Sequence, residues 1–346
     1  MPNSRSAFLP WALGAIGLAL FAWVLSRIDY AAFLNALANA NGWFVALVPA
    51  GILFEQWLRA AKWRLLLVGL GAVRLSRVFA ANMAATLANY VVPVAGPPVV
   101  RSWLVARGEG LPFSAVLATI AVDRIVDGAA FLAFAAAAII LIGMPQSVES
   151  LRTGLIAAAA GAAAVLVVLV ALLVVFRRTV RAGGAGARRL VTWVPVRLRE
   201  RAHALLDPLA QGAGWPRSPV RAATIVLLAL GVKALAVTHL LWAGLALGAS
   251  LEIAHYVLLM VLLGFVVVLA RFVRIPGGFL LAATFLLELF GVDRERALAM
   301  ALIVQVGALV SVNAAGAASL AWFGAELREL KALYASGSLP GAPPRR

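Results

Sequence analysis

The chain has 346 residues, 64% of them hydrophobic and 13% charged, with a mean hydropathy of +0.98, against roughly 45 to 50% apolar and 25% charged in a soluble domain. That composition excludes a soluble protein, the absence of cysteine excludes disulfides, thiolate metal sites and a cysteine nucleophile, and three scattered histidines leave little for a metal centre. The net charge of +16 does not point to nucleic acid, because most basic residues flank apolar runs, where they set membrane orientation and face anionic lipid. No cofactor is expected.

In chain order, Ala7 to Leu25 is an apolar run of about bilayer length. It is longer than a signal-peptide core and no small-x-small cleavage site follows, so it reads as the first span. Trp43 to Val68 is the second, with Glu55, Arg59, Lys62 and Arg64 towards its end, a pattern that places that end near an interface where long basic stems snorkel. Arg77 to Val94 is apolar enough to enter the bilayer but stops at Pro93, with Asn89 and Pro93 assigned to the turn. Gly96-Pro97-Pro98 follows, then a second apolar piece, Val99 to Ala106, that holds Arg101. Two short pieces around a Pro/Gly break read as a re-entrant hairpin, whose backbone is tolerated at membrane depth only inside protein or against a wet cavity.

Pro112 to Ile142 is a span containing Asp123, Arg124 and Asp127, and Gly154 to Phe176 is an uninterrupted one. Residues 177–218 then carry nine arginines against Glu200 and Asp207, a composition expected of a cytoplasmic loop. Within it Leu198, Ala202, Leu205 and Leu209 have the spacing of an amphipathic helix, either interfacial or a solvated linker. Val220 to Leu247 is a span with Lys233 and His239. Leu251 to Val273, the break Arg274-Ile275-Pro276-Gly277-Gly278, and Phe279 to Phe290 form a second broken hairpin. Ala297 to Gly324 closes the membrane part, and the polar tail 325–346 is expected to be disordered.

Two Pro/Gly-broken segments in corresponding positions suggest inverted repeats. Gly71 precedes Pro97 by 26 residues and Gly248 precedes Pro276 by 28, while Gly110 precedes Arg124 and Gly291 precedes Gln305 by 14 each. Segments 68–77, 177–218 and 325–346 hold the basic residues, whereas 28–42, 144–153, 248–251 and 291–296 hold only Arg152, Arg294 and Arg296. The expected architecture is therefore an all-α polytopic membrane protein. It has six transmembrane helices and two re-entrant hairpins, halves of roughly 1–143 and 154–324 in one domain, and both termini cytoplasmic.

Arg124 lies well inside an apolar span, where a lone arginine costs roughly 2.5 to 3.5 kcal/mol on insertion scales. Asp127, three residues on, is expected to accept its charge, and Asp123 to point towards a hairpin. The pair reads either as a structural salt bridge or as lipid phosphate recognition or gating. Arg101, Arg271 and Arg274 flank the two turns, and guanidinium forks suit phosphate oxygens. An interfacial marker is the other reading of Arg271 and Arg274. Asp123 and Asp127 have the spacing to hold Mg²⁺ in an embedded transferase, though the intervening Arg124 favours ion pairing.

Leu58-Arg59-Ala60-Ala61-Lys62-Trp63-Arg64, Asn89-Tyr90-Val91-Val92-Pro93 with Arg101 beyond it, Asp123-Arg124-Ile125-Val126-Asp127 and Pro276-Gly277-Gly278 together resemble the flippase-like membrane domain of lysylphosphatidylglycerol synthases and its stand-alone relatives. The likeness implies a bacterial inner-membrane flippase or transporter of an anionic or polyprenyl-linked lipid. An alternative is a non-transporting partner of a lipid-modifying or glycosyl-transfer enzyme. The soluble aminoacyl-transferase domain has no counterpart, so the chain is not expected to make lysyl-lipid itself. Where the family commonly has Gly-Glu after the first proline, this chain has Gly96-Pro97-Pro98. Leu280 and Ala283 replace the family's Gly and Glu after the second motif, and Gln305 stands where relatives often carry a basic residue.

Overall fold

The computed structural model describes residues 26–88, 96–141, 149–181, 206–249, 251–273 and 277–335. Among these the chain is helical throughout, without strands. The helices are α1 Tyr30–Ala38, α2 Gly42–Leu67, α3 Leu75–Ala88, α4 Gly96–Glu109, α5 Phe113–Leu141, α6 Glu149–Arg181, α7 over 206–212, α8 Pro219–Ala246, α9 Ile253–Val273, α10 Gly278–Leu289, α11 Arg294–Trp322 and α12 Gly324–Ala335.

Among the described residues, four stretches are long and apolar enough to cross a membrane: Gly42–Leu67, Thr153–Val180, Pro219–Ala246 and Arg294–Trp322. At a rise of 1.5 Å per residue, the 26 residues of α2 extend about 39 Å, beyond the roughly 30 Å hydrocarbon core. Helix α5 is 29 residues long, but Asp123, Arg124 and Asp127 interrupt its apolar run. The expected first span, Ala7 to Leu25, lies outside the described residues, as does most of the expected amphipathic helix at Leu198 to Leu209.

Two expectations are corrected. Residues 28–42, expected as a loop, contain α1, because the Asp29 carboxylate accepts from the backbone N–H groups of Ala31 (2.9 Å) and Ala32 (3.1 Å) and caps an alanine-rich turn. The disorder expected of the tail does not extend to 324–335, which form α12. Its apolar positions Leu327 and Leu330, three apart, are buried together with Phe323, and this burial holds an otherwise polar helix in place.

The helices fall into two compact units whose boundaries lie within helices. One unit comprises Met1–Leu53, Phe131–Gly161 and Lys233–Ser311. There α9 packs against α10. Phe131 meets Phe265 edge to face at 5.1 Å, and Tyr256 is fully buried against Gly244. The other unit comprises Phe54–Ala130, Ala162–Val232 and Val312–Arg346. Its core is built from Trp63, Leu67, Val78, Leu104, Val105 and Phe323, and in it α3 packs against α4.

Each unit thus holds one of these helix pairs, and in both the second helix is bracketed by left-handed glycines. Gly96 (φ +66°) and Gly277 (φ +69°) sit at the starts of α4 and α10 in the left-handed region, which side chains with a Cβ avoid. Gly110 (φ +65°) and Gly291 (φ +83°) follow their ends in the same conformation, fourteen residues on in both pairs. One offset therefore maps both glycines of the first pair onto the second. It is also the offset that aligns Arg124 with Gln305 in the sequence. Pro97 and Pro98 occupy the first turn of α4, where a missing N–H costs no intrahelical bond.

Candidate functional site: a buried charge cluster against the first hairpin

Helix α2 presents Glu55, Arg59 and Lys62 at spacings of four and three, so they line one face. Helix α5 presents Asp123 and Asp127 one turn apart. The two faces meet. The Lys62 ammonium, with 1% of its side chain exposed, lies 3.0 Å from Asp123 Oδ1 and donates a short hydrogen bond to Asp127 Oδ1. Arg59 donates from Nε to Glu55 Oε1 at 2.8 Å, and its Nη1 lies 3.8 Å from Asp127 Oδ2.

The hairpin enters the cluster through Arg101 of α4. Its Nη2 is 3.6 Å from Asp123 Oδ2, its Nη1 donates to Asn82 Oδ1 of α3 at 3.2 Å, and its Cζ lies 4.6 Å from the centre of the Trp63 ring. The indole is anchored in turn, its Nε1–H donating to Thr119 Oγ1 at 2.8 Å, whose hydroxyl donates to the Val116 carbonyl at 2.6 Å. Three cations thus face three carboxylates, a balance that offsets the desolvation each would suffer alone. One edge of the Arg101 guanidinium, Nε and Nη2, is buried and makes no hydrogen bond, Nη2 having only the loose ion pair with Asp123.

Of the residues singled out from sequence, Arg101, Asp123 and Asp127 come together here. Asp123 turns to the hairpin as expected. The expected Arg124 to Asp127 pair is corrected: Asp127 takes Lys62 and Arg59, and Arg124 is exposed with no acid within 4 Å among the described residues. Tertiary partners on α2 are the reason, since a buried ammonium between two carboxylates outweighs an exposed i, i+3 contact. Gly96, Pro97, Gly277 and Gly278 lie at the breaks as read. Asn89, Pro93, Arg274 and Pro276, and the side chain of Arg271, lie outside the described residues. The Mg²⁺ reading of Asp123 and Asp127 meets the Lys62 ammonium in the position between the carboxylates. Sequence reasoning missed Lys62, Trp63, Asn82 and Thr119. Of these Lys62 and Trp63 carried a signal, both lying in the motif Leu58 to Arg64, and Lys62 also shares a helix face with Glu55 and Arg59.

Residues 11–316 match the family described as the lysylphosphatidylglycerol synthase TM region. The chain belongs to this family. No curated protein and no solved structure gives a significant match. Membership makes the chain a multi-pass membrane protein of the lysylphosphatidylglycerol synthase TM family. The charge cluster and both helix-break-helix pairs lie within the matched residues. Helix α12 lies beyond them.

Proposed function

We propose that this protein moves an anionic or polyprenyl-linked lipid between leaflets, its phosphate taken up by Arg101 at the first hairpin. The observation that carries the reading is the buried Nε and Nη2 edge of Arg101, which has no hydrogen-bond partner. That edge is the pair of parallel donors that receives two phosphate oxygens, and a low-dielectric setting strengthens the interaction. The surrounding cluster is charge-balanced, so an arriving phosphate competes with Asp123 for Arg101. The 3.6 Å separation of that pair is looser than a hydrogen bond. Drawing Arg101 away would leave Asp123 to Lys62, and headgroup binding would be felt across α2, α4 and α5.

The wider arrangement belongs to the same proposal: six spans and two re-entrant hairpins in two inverted halves of a bacterial inner-membrane protein, with both termini cytoplasmic. Its support is the equal spacing of the left-handed glycines and the concentration of arginines in 177–218. The test is translocation of fluorescent anionic and polyprenyl-phosphate lipids in proteoliposomes by wild type, Arg101→Gln and Arg124→Ala. Arg101→Gln should lose transport by tenfold or more, while Arg124→Ala, whose side chain lies outside the cluster, should keep most of it. Equal rates for wild type and Arg101→Gln would reject the headgroup role. No movement of any lipid by wild type would favour the other reading, a membrane partner of a lipid-modifying or glycosyl-transfer enzyme docked through the basic loop.

A further inference from the structure

Helix α12 holds both arms of the first hairpin, one acid to each. Glu326 Oε1 lies 3.2 Å from Arg77 Nη2 on α3, and Glu329 Oε2 lies 3.2 Å from Arg107 Nε on α4. Between the acids Leu327 is buried, and Leu330 and Phe323 on either side of them are fully buried in the core that α3 and α4 share with Trp63.

Arg77 is the centre of this fastening. Its Nε donates to the Leu104 carbonyl of α4 at 3.1 Å, and its Cζ lies 5.1 Å from the Phe323 ring centre. Gly108 leaves it room, since a Cβ there would stand 1.6 Å from the Arg77 Cζ. One buried guanidinium therefore joins the two hairpin arms and the C-terminal helix. The described part of α3 and the whole of α4 are 14 residues each, and α4, about 21 Å long, is too short to span a hydrocarbon core by itself. The first of them carries Asn82 and the second Arg101, so whatever restrains them restrains the candidate site.

We infer that α12 is a latch: with Glu326 and Glu329 engaged it holds α3 and α4 together and keeps Ser102 buried between its neighbours, and its release lets the two helices part. The latch is a feature of this chain beyond the family-matched residues, which end at 316. Its consequence for lipid movement rests on the proposed function. The latch itself does not.

The test exploits the absence of cysteine. Ser102 on α4 is fully buried, as is Ala299 on α11, and Ser102→Cys and Ala299→Cys are each labelled with N-ethylmaleimide in full-length protein reconstituted in liposomes. Releasing the latch with Glu326→Gln and Glu329→Gln should raise the labelling rate at position 102 by tenfold or more and leave position 299 unchanged. Glu329→Gln alone, which disturbs only the exposed Arg107 pair, should give a smaller rise. The exchange Arg107→Glu with Glu329→Arg should return labelling to the starting rate. An unchanged rate at 102 in the double variant overturns the latch. So does an equal rise at 102 and 299, which would mean that α12 merely stabilises the whole fold. Lipid transport measured on the same samples should accelerate on release. Faster labelling without transport would leave the latch standing and count against the flippase reading alone.

Discussion

Replacing Lys62 with methionine keeps the length of the side chain and removes only its charge. The ammonium is in contact with two carboxylates, and neither has water to turn to, since Asp123 and Asp127 expose 6% and 11% of their side chains. The cations that remain, Arg101 at 3.6 Å and Arg59 at 3.8 Å, sit beyond hydrogen-bond distance of them. Removing one partner of a buried ion pair costs about 3 to 5 kcal/mol, because the charge left behind is uncompensated. Lys62→Met is expected to lose that much at neutral pH. Asp127→Asn added to it removes one of the two carboxylates and should restore a part of the loss, a coupling of about 1 to 3 kcal/mol. The assay is unfolding in mixed micelles by added sodium dodecyl sulfate, followed by far-ultraviolet circular dichroism, on wild type, both single variants and the double. A loss below about 1 kcal/mol for Lys62→Met, the value of an exposed pair, or strict additivity of the two changes would refute the buried cluster.

Two glycines should respond in opposite directions to alanine. A Cβ at Gly212 would stand 1.9 Å from the Ala115 carbonyl oxygen, a backbone atom that cannot swing aside, so Gly212→Ala should cost about 1 to 3 kcal/mol in the same unfolding assay. Gly161 lies within α6 with nothing within 4 Å of such an atom, and Gly161→Ala should be neutral or stabilising by up to about 1 kcal/mol. Single cysteines at Ser147, Ser218 and Ser250, in a chain with no other, report sidedness. Ser218 should label from the cytoplasmic face and the other two from the opposite face, and cytoplasmic labelling of Ser250 would reject the inverted halves.

Helix extents were legible because a bilayer-length apolar run leaves little choice: α2, α5, α8 and α11 begin and end within a few residues of the expected spans. The starts of α4 and α10 were legible too, since glycine at 96 and 277 and proline at 97 and 98 act on the backbone locally. Partnership between distant charges was not. Lys62 read as a snorkelling residue because Arg59 and Arg64 beside it suggested an interface, and nothing local distinguishes a lysine that leaves the bundle from one that turns into it. Asp127 was assigned to Arg124 by sequence spacing, whereas the rotation of α5 about its axis, set by how α2 packs, gives it to Lys62. Helix α12 escaped for a related reason. Its polar composition resembles a tail, and the buried Leu327 and Leu330, with Phe323 just before them, gain their meaning only from a hairpin more than two hundred positions earlier.

The charge balance across α2 and α5 also bears on how the protein is made. Glu55, Arg59 and Lys62 leave the ribosome about sixty residues before Asp123 and Asp127. Until then no acid of α5 pairs Lys62 of α2, a charge whose insertion cost rises towards roughly 2.5 to 3.5 kcal/mol the closer it lies to mid-bilayer. Lateral release of this helix into lipid is thus favoured only once α5 has arrived to escort it. The acids of α5 then serve the newborn chain as insertion partners before they serve the finished protein, and nascent chains arrested before residue 113 should keep α2 beside the insertion machinery.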